Sequence, residues 1–102
     1  MNKEEHTKRE VRYKLSRHAK ERLQQRGIPL VSLETMLCYG KKRRRGYAYV
    51  VCMDKQRRKL ARARLAPEIY RRVADKLDFY LIYDNGTGTV ITVGHRLDRL
   101  KW

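Results

Sequence analysis

With 102 residues the chain has the length of one domain with a single modest core, and its two cysteines exclude the disulfide framework of a small secreted protein. Its longest apolar run, Tyr47–Met53, is too short to cross a bilayer, which excludes a helical membrane protein. The 26 Lys and Arg residues outnumber the 11 Asp and Glu residues and give a net charge of +15, which predicts a polyanionic partner.

The chain begins with a polar segment, residues 1–14, that we expect to be a flexible basic arm able to form a short strand at its end. Residues 15–102 are expected to form one domain. Ser16 supplies the hydroxyl of an N-cap and Gly27 the left-handed residue that ends many helices, so a helix is predicted at Arg17–Arg26. The charged start shows no signal-peptide pattern, and we expect a cytoplasmic protein.

A second helix is predicted between Pro29 and Gly40. Apolar residues recur there at helical spacing from Leu30 onwards, which makes this the most hydrophobic element and the expected main core helix. The run Lys41–Arg45, KKRRR, follows, and we expect a loop because five like charges cannot pack together. Tyr47–Met53 is rich in β-branched and aromatic residues and predicts a strand that is buried on at least one face.

The second half of the chain continues with two helices and a hairpin. Asp54 is placed to cap a helix, and Pro67 splits the helix-forming run behind it into two short helices. Two apolar runs, Phe79–Tyr83 and Val90–Val93, are separated by residues that favour turns, and they predict a β-hairpin. The order helix, helix, strand, helix, helix, strand, strand predicts an α+β domain with a small antiparallel sheet.

One flank of the first helix carries the candidate chemistry. His18, Arg22 and Arg26 are four residues apart and form a stripe beside the apolar side of the helix. RNA can be cleaved without a metal ion when its own 2′-hydroxyl attacks, provided that the protein supplies a base, an acid and cations. Histidine and arginine meet those needs. The competing interpretations are structural. His18 would lie on the surface or pack its ring on a neighbouring aromatic, and the arginines would line a solvated face or pair with Glu21 or another acid.

Thr92 is the fourth candidate catalytic residue. If the closing strand alternates strictly, its residues divide into two faces, Val90, Thr92 and Gly94 against Ile91, Val93 and His95. Thr92 then points away from the apolar face, where its hydroxyl can donate to a phosphate. The residues that we expect to contact a nucleic-acid backbone are Lys41, Lys42, Arg43, Arg44, Arg45, Arg57, Arg58, His95 and Arg96.

Metal and cofactor chemistry have little support in the sequence. Zinc sites use His or Cys ligands at close spacing, and the three histidines and two cysteines show no such spacing. No pair of carboxylates recurs at the spacing that holds magnesium, and no glycine-rich phosphate or dinucleotide motif is present. We therefore expect neither a metal nor a cofactor, and we expect both cysteines to be small core residues.

The segment LSRHAKERLQQRGIP resembles the start of a bacterial family of small uncharacterised domains, Ser-x-His-Ala-x-x-Arg-x-x-x-Arg-Gly-Ile. That family ends in VITV, which occurs here at Val90–Val93, so the resemblance extends from about Leu15 to Arg96. Pro29 departs from the family pattern, which has a Ser or Thr cap after the glycine and isoleucine. The family is similar to RelE-like toxins and to the fold of barnase and colicin-type nucleases. The resemblance implies a toxin-type endoribonuclease with an acidic antitoxin-like partner. The matching site positions are His18, Arg22, Arg26 and Thr92.

Two other functions stay open. A non-catalytic RNA- or DNA-binding module needs charge but no proton transfer. A structural subunit would instead dock its basic face on an acidic protein. The tyrosines of the predicted strands do not decide between these functions, because the sequence does not separate rings in the core from rings that stack on bases. They are Tyr47, Tyr49, Tyr80 and Tyr83.

Overall fold

The computed structural model describes residues 12–95. In chain order the elements are β1 (Lys14–Leu15), α1 (Arg17–Arg26), α2 (Leu30–Tyr39), β2 (Lys41–Arg45), β3 (Ala48–Cys52), α3 (Lys55–Arg64), α4 (Pro67–Val73), β4 (Phe79–Asp84) and β5 (Thr89–His95). The expected arm up to residue 11, and Arg96, lie outside the described residues. None of the helices described is both long and apolar enough to cross a membrane.

The five strands form one mixed sheet in the order β1-β5-β4-β3-β2. β1 runs parallel to β5, and every other pair of neighbours is antiparallel. The predicted α+β class is confirmed, whereas the antiparallel sheet and the order of elements are corrected by β1 and β2. The parallel pairing arises because the Ser16 amide donates to the Val90 carbonyl at 3.0 Å before the chain turns into α1.

Local sequence signals set the ends of the helices. The Ser16 side chain accepts a hydrogen bond from the Ala19 amide at 3.0 Å, as expected of an N-cap. Gly27 ends α1 with φ 62°, in the left-handed region where a side chain would be strained. Asp54 caps α3 by accepting from the Arg57 amide at 2.7 Å. The predicted limits of α1 and the split between α3 and α4 are confirmed.

One hydrophobic core lies between the helices and one face of the sheet. Leu33 and Met36 of α2 are fully buried in it, which confirms α2 as a main core helix. Val51, Leu81 and Val93 are register partners on neighbouring strands and face the same core. Since successive strand residues point to opposite sides, the other side of the sheet, here called the outer face, carries a second row of partners. That row is Arg43, Val50, Ile82 and Thr92.

The KKRRR run was expected to be a loop, and that prediction is wrong. The run forms β2 and pairs antiparallel with β3, with Arg45 opposite Ala48, so that only Gly46 and Tyr47 make the turn. Gly46 has φ 63°, the positive angle that a type II′ hairpin turn requires at its first central position. Five like charges are tolerated because β2 is an edge strand and all its side chains are exposed.

The strict alternation predicted for the closing strand is wrong at one position. β4 and β5 shift register after Ile82, which makes Ile91 the extra residue of a β-bulge. Val90 and Val93 are consequently both buried, whereas Ile91 is 40% exposed. Thr92 lies on the outer face, away from Val93, as the alternation predicted.

The cysteines and tyrosines divide between core and surface. Cys52 is buried and Cys38 is half-buried, and neither forms a disulfide. Tyr49 and Tyr83 pack against the core. Tyr80 is half-buried, and Tyr47 is 95% exposed at the β2–β3 turn, where it can meet another molecule.

Candidate nucleic-acid interface

The stripe predicted on α1 forms one flank of that helix. Ala19 and Leu23 are buried against the core, and His18, Arg22 and Arg26 occupy the adjacent positions of the helical surface. His18 is exposed, while Arg22 and Arg26 are half-buried. The stripe is therefore the border between core and solvent rather than a fully solvated face.

Two members of the stripe are in direct contact. The Arg22 Nε–H donates to Nε2 of His18 across 3.4 Å, which is long for a hydrogen bond. In this contact Nε2 of His18 is the acceptor. Arg22 uses one of its five N–H groups in this contact. The four N–H groups on its Nη atoms can still hold an anion.

Arg26 lies at the more buried end of the stripe. Its Nε is enclosed by the protein and has no hydrogen-bond partner among residues 12–95. A buried donor without a partner costs about 1–3 kcal/mol, so the stability of the fold does not account for this arginine. Within residues 12–95, neither Arg22 nor Arg26 forms an ion pair with Glu21. The ion-pair interpretation of the stripe is therefore not supported.

Hydrogen bonds fix the start of α1 against β5. The Ser16 amide donates to the Val90 carbonyl, and the Ser16 hydroxyl donates to the Ile91 carbonyl at 2.6 Å. Beyond this junction α1 packs along β5. Thr92 directly follows Ile91, and His18 comes two residues after Ser16. The fold thus bonds the start of α1 to β5. It does not bring Thr92 to the stripe, because α1 packs on the core side of the sheet and Thr92 lies on the outer face.

β2 is a second basic surface, at the opposite edge of the sheet from β1. All five of its side chains are exposed. Alternation places Arg43 on the outer face with Thr92, and Lys42 and Arg44 on the other side. Arg43 and Thr92 lie at the two ends of one cross-sheet row, separated by three strand spacings of about 4.8 Å each, or about 14 Å.

Three other residues predicted to contact nucleic acid differ in whether they already bond to other parts of the protein. Arg58 donates to the Asp78 carboxylate at 2.8 Å and to the Ala74 carbonyl at 2.9 Å. These bonds join α3 to the segment before β4, which gives Arg58 a structural role. Arg57 is exposed at the start of α3, and His95 is exposed at the end of β5. Both are accessible to a ligand.

Two features were not predicted as sites. The first is Tyr47, and its signal in the sequence was the pair Gly46-Tyr47, a hairpin turn between a basic run and an apolar run. The second is a cavity of about 490 Å³ where α3 meets α4, lined by Arg62, Tyr70 and Arg71 among others. No sequence signal was available for the cavity, since its residues come from two helices whose packing is set by the tertiary structure.

Within residues 12–95, no group of three His, Cys, Asp or Glu side chains is placed to hold a metal ion. Comparison of the chain with protein-family models, with curated proteins and with solved structures found no match. The resemblance of the opening helix and the closing strand to a toxin-like family therefore stays a prediction that rests on motifs alone.

Proposed function

We propose that this protein binds RNA and cleaves it as a metal-independent endoribonuclease of toxin type. The observation that carries the proposal is the contact of Arg22 with His18 on a helix that is bonded to β5. The contact pairs an imidazole, which can act as a general base, with a cation that binds phosphate. The net charge of +15 adds a general attraction for a polyanion.

The nucleophile in the proposed reaction belongs to the RNA. Neutral His18 takes the proton of a ribose 2′-hydroxyl on its Nε2. The 2′-oxygen bonds to the adjacent phosphorus, the bond from phosphorus to the 5′-oxygen breaks, and the 5′-oxygen takes up a proton from solvent. The products are a 2′,3′-cyclic phosphate and a 5′-hydroxyl end. DNA lacks the 2′-hydroxyl, so it would be bound but not cut.

The two arginines act on the phosphate in this scheme. When substrate binds, the Arg22 fork turns to two phosphoryl oxygens and leaves Nε2 of His18 free to act as the base. A phosphate near Arg26 balances a charge that no acid among the described residues balances. Thr92 is left out of this scheme, because it lies on the outer face of the sheet, whereas Ala19 and Leu23 of α1 pack on the core side. The scheme therefore gives roles to His18, Arg22 and Arg26.

The exposed cations of β2 hold the rest of the RNA chain in the proposal. Contacts between such side chains and phosphates position a nucleic acid without reading its sequence. An acidic antitoxin-like protein would cover the same cations and thereby block RNA binding. We include this inhibitor in the proposal as the protein partner that the charge distribution favours.

A non-catalytic RNA- or DNA-binding module is the competing function. The exposure of His18 favours it, since an exposed imidazole on a basic helix can contact phosphate without taking part in a reaction. The two functions predict the same binding and differ only in the proton transfer.

The variant His18→Ala separates the two functions. We expect cleavage of a labelled RNA to fall by about 10²–10⁴-fold, the usual contribution of a general acid or base, with affinity for the RNA little changed. Gln24→Ala, on the opposite flank of α1, is the control and should cleave normally. Detection of a 2′,3′-cyclic phosphate end identifies the reaction. Cleavage by His18→Ala at the normal rate would refute the catalytic role, and binding without any cleavage by the unaltered chain would favour the module.

A further inference from the structure

The tip of the β2–β3 hairpin carries an aromatic side chain that buries almost no surface. Tyr47 is 95% exposed, whereas Tyr49 and Tyr83 pack against the core. The two-residue turn fixes the backbone at this point, and the Arg44 Nε–H donates to the Gly46 carbonyl at 3.2 Å, which ties the turn to β2. The ring is therefore presented on a short, ordered support.

Positive charge lies on both sides of this hairpin. Because side chains alternate along β2, Arg43 and Arg45 lie on the outer face, and Lys42 and Arg44 lie on the other. Protection of an edge strand against pairing with other chains is enough to explain these cations. It does not explain Tyr47, since an exposed aromatic ring favours association rather than preventing it. The ring and the cations together indicate a ligand that is both flat and anionic.

We propose that the hairpin holds a single-stranded stretch of RNA, with Tyr47 stacked on an unpaired base and the β2 side chains on the flanking phosphates. This inference rests on the nucleic-acid-binding part of the proposed function and names its substrate class. Every base has a flat face, so stacking on an aromatic ring needs no particular sequence. In a duplex those faces are covered by neighbouring bases, and Tyr47 therefore distinguishes unpaired from paired RNA while the cations do not.

The outer face of the sheet offers a path from the hairpin to Thr92. Arg43 on β2 and Thr92 on β5 share one cross-sheet row, about 14 Å apart. Val50 and Ile82 lie between them and are half-buried apolar side chains. A strand held at Tyr47 can follow this row towards Thr92. A flexible single strand also suits the proposed reaction, since in-line attack by the 2′-oxygen needs a backbone turned out of helical geometry.

Fluorescence anisotropy with the full chain tests the inference. The probes are a labelled single-stranded RNA and an RNA duplex of the same length, both 2′-O-methylated so that binding is measured without cleavage. Tyr47→Ala is expected to weaken single-strand binding by about 5- to 100-fold, the value of one stacked base, and to leave duplex binding unchanged. Tyr47→Phe keeps the ring and should bind normally. Leu30→Ala removes a side chain that is 53% exposed elsewhere and is the control.

Two results would overturn the inference: normal single-strand binding by Tyr47→Ala, or an equal loss on both probes. The nuclease activity is tested separately on unmodified RNA. A chain that binds single strands through Tyr47 and leaves RNA intact keeps this inference and refutes the nuclease. A chain that cuts RNA through His18 and binds single strands equally well after Tyr47→Ala keeps the nuclease and refutes this inference. Binding of a polyglutamate peptide, with no affinity for either RNA, would overturn both in favour of an acidic protein partner.

Discussion

The stripe on α1 and the strand β2 are both strongly basic, yet they hold their charges in different ways. On α1, Arg22 contacts His18 at 3.4 Å, and Arg26 is half-buried on a helix whose start is bonded to β5. On β2, five consecutive Lys and Arg side chains are exposed and alternate between two faces. The first region is a fixed arrangement of unlike groups. The second is a row of similar charges.

This difference indicates which property of its side chains the proposed function of each region requires. A fixed arrangement depends on residue type, because only a guanidinium can bind two oxygens of a phosphate with one planar group. A row of exposed charges depends on their number, because phosphates release counterions whichever cation neutralises them. Changing the type of a cation and removing its charge therefore test the two regions separately.

Arg22→Lys should give the largest difference between the regions. The ammonium group cannot replace the bidentate fork, so we expect the cleavage rate to fall by about 10²–10³-fold, as on loss of one transition-state donor. Arg43→Lys is the matched change on β2 and should leave the rate nearly unchanged. Single-turnover rates on one RNA measure both variants. Similar rates in the two would show that the α1 stripe acts through charge alone.

The salt dependence of RNA affinity should change in β2 variants and not in α1 variants, the reverse of the cleavage rates. This change should be smaller than the change in cleavage rate. Lys42→Gln combined with Arg43→Gln removes two β2 charges and should reduce the slope of log affinity against log salt by about 1.4, at roughly 0.7 per phosphate contact on a single strand. Arg17→Gln combined with Lys20→Gln removes the same two residue types from the other flank of α1. This control should keep the original slope. Equal reductions in both double variants would assign the effect to net charge rather than to β2.

The two regions also differ in how far the sequence predicts their structure. The limits of α1 could be predicted because Ser16 and Gly27 are signals adjacent to the helix itself. The sequence predicts a loop at β2 because an edge strand needs no apolar alternation, and five like charges indicate a solvated loop. A basic run becomes a strand only when a sheet is present to pair with it. That sheet is a property of the whole fold.

The candidate site shows the same limit. Helical spacing was enough to place His18 beside Arg22, because residues four apart are neighbours on a helix. The junction of α1 with β5 depends on the bonds of Ser16 to a strand far away in the chain, and no local pattern predicts such bonds. The bulge at Ile91 likewise depends on the register between β4 and β5. The catalytic roles remain predictions that the variants above test.

Replacement of Tyr13 should give the smallest effect of these variants. It tests the stability of the region around α1 rather than the proposed chemistry. Burial, and then the hydrogen bond that its hydroxyl donates to Glu34 at 2.9 Å, raise the pKa of Tyr13 from 10.0 to about 12. The folded chain thus favours the neutral phenol more than the unfolded chain does. Its contribution to stability is complete below pH 10 and is lost as the pH rises from 10 to about 12.

Tyr13→Phe removes this titration. The melting temperature of the variant should therefore fall less steeply than that of the unaltered chain above pH 10, and thermal denaturation at a series of pH values measures the difference. Tyr13 directly precedes β1, which leads into α1, whereas β2 is at the opposite edge of the sheet. Parallel melting curves up to pH 12 would show that the bond to Glu34 does not stabilise the region that carries the stripe.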